Sequence, residues 1–116
     1  MIVDYQKYNP DCYNFYDRGF PDLIGWREYA QLDTKDIEKI VYLYPYEKLV
    51  FFTKPWEEIY ETNQHRPYSF DEASKINYFL ELCYKKLGYM IQYIPKISIN
   101  KRAEFVIQKV SEFSKA

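Results

Sequence analysis

The side chains able to do chemistry are few and scattered. The chain has one histidine, His65, and two cysteines, Cys12 and Cys83. No C-x-x-C or H-x-x-x-H spacing joins them, so no metal site can be drawn from the sequence. Nucleophilic catalysis would need Cys83 or a serine, with His65 as base and Asp71 as orienter. Cys83 falls on an apolar helical stripe, where a thiol is inert. Ser69 is accounted for as a helix cap. Acidic neighbours occur at Glu57, Glu58 and Glu61 and at Asp71 and Glu72. Acid–base work needs one carboxylate of a pair desolvated. All of these lie in early helical turns, which favour acids for structural reasons. The three glycines, Gly19, Gly25 and Gly88, are dispersed, and neither G-x-G-x-x-G nor G-x-x-x-x-G-K-[ST] occurs. The expectation is no catalytic residue, no metal and no cofactor.

Two surface constellations stand out. Tyr84, Lys85, Lys86 and Tyr89, followed by Tyr93, Lys96, Lys101 and Arg102, interleave aromatic and basic residues. Cations can track a phosphate backbone while tyrosines stack on bases. The second is acidic and aromatic: Trp56, Glu57, Tyr60 and Glu61. Tryptophan and tyrosine dominate protein-interface hot spots.

Charge and composition sharpen both. Residues 1–74 carry a net charge of −6 and residues 75–116 a net of +5, within an overall −1. Such polarity suits pairing between the two halves, a basic face for nucleic acid, or association of unlike ends. Fourteen tyrosines, eight phenylalanines and two tryptophans make the chain 21% aromatic. The core of a 116-residue chain cannot satisfy that many tyrosine hydroxyls, so several rings are expected at the surface.

The elements that must position these residues are marked by turns and periodicity. Residues 1–20 read as an irregular, Tyr-rich lead-in with turns at Asn9-Pro10-Asp11 and Asp17-Arg18-Gly19. A helix is expected from Pro21 to Leu32, with Leu23, Trp26 and Ala30 inward and Gly25 weakening it. Asp33 and Thr34 offer a cap for Lys35 to Tyr44, whose stripe is Ile37, Ile40, Val41 and Tyr44. A further helix is expected from Thr53 to about Asn63. Ser69 and Glu72 have capping-box spacing. The helix they begin, 70–87, carries Ala73, Ile76, Leu80, Cys83 and Leu87 on one face and stops at Gly88. Asn100 is expected to cap a last helix from Lys101 to Phe113. The apolar segments 46–52 and 89–99 could be strands or helical turns, and a hairpin between them is one arrangement.

The fold expected is mainly α, with an α+β variant: a compact single domain, 1–116, of about five short helices and a small two- or three-stranded sheet from 46–52 and 89–99. No signal peptide or membrane span is visible. The expected place is therefore the cytoplasm, of a host cell if the chain is viral, with both thiols free in the core. The functional expectation is a non-enzymatic protein–protein interaction module, of the kind found among viral or mobile-element accessory proteins, inhibitors or assembly subunits. It would bind a protein partner or itself through the Trp56 face. The alternative is a single-stranded nucleic-acid binder using the basic, aromatic C-terminal half.

Overall fold

The computed structural model describes residues 5–60 and 67–115. Among them are four α-helices, one 3-10 turn and two strands. In chain order they are α1 (Phe20–Tyr29), α2 (Lys35–Leu43), β1 (Leu49–Phe52), the 3-10 turn Glu57–Ile59, α3 (Phe70–Lys86), β2 (Met90–Tyr93) and α4 (Ile99–Lys115). The fold is mainly α with a small sheet.

The helix ends follow local chemistry. At the start of α3 the Ser69 hydroxyl accepts a hydrogen bond from the Glu72 N–H at 3.1 Å and meets the Glu72 carboxylate at 3.3 Å, as the S-x-x-E spacing predicts. At its end Gly88 adopts φ +89°. The Gly88 and Tyr89 N–H groups then bond back to Lys85 O and Tyr84 O, each at 3.1 Å, closing a Schellman motif that needs a left-handed residue. The same motif ends α1, but Gln31 holds the left-handed position at φ 59°. For α4 the cap is Ser98 rather than Asn100: its Oγ accepts from the Lys101 N–H at 3.3 Å. The helix therefore begins two residues earlier than expected.

Helix α1 turns a different face inward than its periodicity suggested. Phe20, Pro21, Ile24 and Gly25 are buried, while Trp26 is half-buried and Ala30 exposed. The cause is Gly25. A Cβ placed there would lie 2.6 Å from Leu80 Cδ2 and 3.1 Å from Leu80 Cα. With hydrogen in its place α1 lies directly on α3, a closer approach than any larger residue permits. Phe20, Ile24, Ile37, Val41 and Cys83 form the core, walled by Tyr5, Leu23, Ile40, Tyr44, Tyr46 and Leu87.

The strands do not form a hairpin. β1 and β2 are parallel, with Leu49 opposite Met90 and Phe52 opposite Tyr93, and α3 is the crossover between them. A parallel pair requires such a connection. Lys96–Ser98 add no third strand, and α4 starts at Ile99. The helix expected from Thr53 is, within the described residues, only the turn Glu57–Ile59. Thr53–Trp56 and Tyr60 are not helical, and positions 61–63 lie outside the described residues. No helix among the described residues is long and apolar enough to cross a membrane.

The Gly25 contact makes a prediction against helix propensity. In an open helix Gly25→Ala would gain about 1 kcal/mol. Here the methyl group would fall against Leu80 Cδ2 and press on its Cα, so the variant should instead lose roughly 1–3 kcal/mol, the scale of core overpacking. Equilibrium denaturation of both proteins decides; a more stable variant would disprove the close packing.

Candidate functional site

Parallel α/β units present their ligand sites beyond the carboxyl ends of the strands. In this chain that end is formed by Phe52-Thr53-Lys54 after β1 and Tyr93-Ile94-Pro95 after β2. The two exits are tied by the Ile94 N–H donating to Phe52 O at 2.9 Å. Lys54 lies beyond it, its Nζ 4.6 Å from the centroid of the Tyr93 ring. The Tyr93 hydroxyl donates to Glu81 Oε2 at 2.6 Å, which ties β2 to α3. That bond also raises the Tyr93 pKa, because it stabilises the protonated phenol. Lys96 is exposed just past β2, and Lys101 and Arg102 begin α4. The Arg102 Nε is buried without a hydrogen-bond partner.

An open concavity lies among the lead-in, α1, β1, α3 and α4. Its lining includes Phe15 and Tyr16 of the lead-in, Leu49 and Phe51 of β1, and Val106 and Val110 of α4. The lead-in is tied to α4 by Tyr13 Oη and Ser114 Oγ, 2.6 Å apart.

The other end of the sheet is closed by a hydrogen-bonded aromatic cluster. Asp22 Oδ1 accepts from the Gly19 N–H at 3.2 Å and from the Tyr84 hydroxyl. The Phe20 N–H donates to Tyr46 Oη at 3.3 Å, and the Tyr46 N–H to Tyr89 Oη at 3.1 Å. Tyr5 packs edge-on against Tyr44 and Tyr46, and its hydroxyl donates to Pro45 O at 2.5 Å. This clamp holds the turn before α1, where Arg18 has φ 67°, a left-handed conformation that costs a non-glycine residue about 1 kcal/mol. Burial first, then the Asp22 carboxylate, drives the Tyr84 pKa far up.

The expected nucleic-acid set is not assembled. Tyr84 is 4% exposed and stands edge-on to Phe52 and Tyr89. Neither it nor half-buried Tyr89 can present a face to a base. Lys85 and Lys86 lie in the last turn of α3, and Lys101 and Arg102 near the start of α4, so the two basic pairs belong to different helices. Lys85 is also paired with Glu81 at 3.9 Å. On the acidic side Glu57 is exposed, and Trp56 and Tyr60 are half-buried. The Tyr60 hydroxyl donates to Tyr68 O at 2.6 Å. Glu61 and His65 lie outside the described residues. Asp71 is exposed at the start of α3, and Ser69 is the cap. Cys12 is exposed rather than in the core, because the lead-in does not enter it, while Cys83 is buried and both thiols are free. The Cys83 thiol donates to Pro21 O at 3.3 Å. Burial, reinforced by Glu28 and Asp22, pushes its pKa up to about 11. Among the described residues no three His, Cys, Asp or Glu side chains are grouped to hold a metal ion.

A family model described as AAA domain matches residues 3–102, and the chain belongs to that family of AAA domains. No curated protein and no solved structure matches the chain. Membership overturns the expectation of a non-enzymatic interaction module, because AAA domains are P-loop NTPase-like. Sequence reasoning missed this because the phosphate-loop motif that announces such domains is not among these 116 residues. The signal that was present, two apolar segments separated by a capped helix, was open to a hairpin reading.

The buried thiol and tyrosines set a pH dependence. Their protonated forms are neutral, and their folded-state pKa values lie above the unfolded ones. The stability they contribute is complete below the unfolded thiol value of 9.0 and is lost as pH rises toward about 11. Denaturation midpoints should therefore be steady through neutral pH and fall steeply above about pH 9. Cys83→Ala should lessen the alkaline fall. A midpoint that stays flat to pH 11 would contradict the buried assignment. In the native protein a thiol reagent should titrate Cys12 alone, and both cysteines after unfolding.

Proposed function

We propose that the chain works within a nucleoside-triphosphate-binding AAA unit, with hydrolysis of the bound nucleotide as its reaction class. The triphosphate would lie beyond the carboxyl ends of β1 and β2. The observation that supports this most directly is the parallel β1–α3–β2 crossover in a chain of AAA membership, with Lys54, Lys96, Lys101 and Arg102 placed beyond the strand exits. Lysine and arginine side chains supply the positive charge that phosphates require.

The residues present fit a triphosphate only in part. The cations are there, but a P-loop cradles phosphates with consecutive backbone N–H groups of a G-x-x-x-x-G-K-[ST] loop. No such segment exists in this sequence.

Binding to the charged end is testable directly. Titration of the labelled protein with Mg-ATP, followed by amide resonances, should move Thr53, Lys54 and residues 94–96 and leave Arg18 and Gly19 still. Without a backbone cradle the affinity should be weak, on the order of 1 mM. Lys54→Ala should weaken it several-fold further. Absence of saturable shifts, or shifts centred on the Arg18 turn, would refute this placement.

A further inference from the structure

We infer that the outer edge of β1 is an interface between two copies of this chain, which pair β1 antiparallel to β1 about a two-fold axis at Val50. The grounds are the backbone geometry of β1 and the sequence around it, and they are independent of the nucleotide reading.

The edge carries hydrogen-bonding groups without partners. Lys48 O accepts from the Met90 N–H at 2.7 Å and Phe52 O from the Ile94 N–H at 2.9 Å. In a parallel ladder alternate residues face one neighbour. With Val50 opposite Ile91, Lys48, Val50 and Phe52 turn their peptide groups toward β2, and Leu49 and Phe51 turn theirs away. No third strand meets them, and no other described residue bonds their peptide groups. An edge of this kind is a template for a further strand. Leu49-Val50-Phe51-Phe52 carries none of the charges or prolines that blunt exposed edges. Short, uncharged, β-prone segments pair with copies of themselves. Leu49 and Phe51 also open on the concavity, whose wall includes Tyr13 and Phe15. Those two rings are 64% and 66% exposed, apolar surface that a second copy would cover.

The sequence around β1 selects a second copy as the occupant, and its register. Only residues turned outward exchange bonds, so Leu49 and Phe51 of one copy must meet those of the other. With Val50 on the axis, Leu49 of each copy lies opposite Phe51 of the other. Each such pair exchanges both its bonds, so every free group on the edge is used. The side chains then form an aliphatic–aromatic cross-strand pair twice over. The prolines agree with this axis. Pro45 and Pro55 stand five residues before and after Val50. Carried past the strand ends, the pairing sets Pro45 against Pro55 of the other copy, and neither is asked for the N–H it lacks. The alternatives are worse. An axis at Phe51 puts Lys48 opposite Lys54, and an axis at Leu49 puts Phe51 opposite Glu47. Parallel pairing in register sets Glu47, Lys48 and Lys54 each against its own kind. In the Val50 register Glu47 lies opposite Thr53, next to Lys54 of opposite sign. The contact is the same patch on both copies, so it closes at the dimer.

A strand of four residues makes a weak dimer, half formed at a concentration on the order of 0.1 mM. Sedimentation of the unaltered chain from about 5 µM to about 1 mM should show the mean mass rising toward that of two chains. Over the same range amide exchange should slow at Leu49 and Phe51 and stay constant at Val50 and Phe52, whose N–H groups face β2. The register is read by oxidation in a Cys12→Ser background. Val50→Cys should give a disulfide-linked dimer, because residues on the axis stand about 4.5 Å apart. Leu49→Cys, set opposite Phe51, should not. Phe51→Pro removes an edge N–H from each copy without touching the β2 ladder, and should weaken the dimer about tenfold. Mass and exchange of the unaltered chain decide even where the proline variant does not fold. A strict monomer at about 1 mM overturns the inference. So does a dimer with no added protection at Leu49 and Phe51, or one that Leu49→Cys links and Val50→Cys does not. A dimer that binds no Mg-ATP leaves this interface standing and removes the nucleotide reading. A strict monomer that binds Mg-ATP does the reverse.

Discussion

The contact on which the structure depends is the seating of α1 on α3 at Gly25. With a methyl group at that position the Leu80 backbone would have to retreat. With hydrogen there, Phe20 and Ile24 reach Cys83, and the Cys83 thiol reaches Pro21 O. That seating fixes the start of α1, which brings Asp22 to the Tyr84 hydroxyl and the Gly19 N–H. Ile37 and Val41 of α2 complete the same core, so the chain entering β1 inherits its position from the helix pair. A residue that looks like a weakness in an isolated helix is thus the condition for the tertiary contact. Propensity and packing disagree at Gly25, and packing decides because overpacking against Leu80 costs more than the entropy a glycine loses.

The tyrosine excess resolves in part through the same geometry. Tyr5, Tyr44, Tyr46, Tyr84 and Tyr89 are used internally, their rings edge-on to one another and several hydroxyls bonded to backbone or to Asp22. A tyrosine cluster can pack as a core and still close the polar start of a helix, which phenylalanine cannot do. The cost is alkaline sensitivity, because each buried hydroxyl must remain protonated. Tyr8, Tyr13, Tyr42 and Tyr78 do remain exposed.

What could be read from the sequence was what local chemistry determines. Ser69 with Glu72, the stop at Gly88, and the stripe of Ile37 and Val41 all rest on contacts within a few residues, and each is found. The inward face of α1 was misread because its determinant, Leu80, lies 55 positions away in the chain. The caps of α4 shifted because Ser98 and Asn100 are equally able to cap, and the competition is settled by where the chain leaves β2. Pairing direction is also non-local: Leu49–Phe52 is compatible with a hairpin or a parallel pair until α3 is recognised as the crossover. Tyr84 shows the same limit for function. Its spacing next to Lys85 and Lys86 suggested a stacking surface, while its hydroxyl was committed to Asp22, 62 residues away.

The charge asymmetry can now be given a physical setting. The C-terminal half is basic partly because helix ends favour cations, as at Lys85 and Lys86. Lys101 and Arg102 stand at the start of α4, where the dipole opposes them and a structural role would select acids. An arginine whose Nε is buried and unbonded adds a desolvation cost. Two unfavourable placements near the start of one helix are what helix electrostatics does not account for, and they set this end of α4 apart from the Lys85–Lys86 pair, which the end of α3 favours.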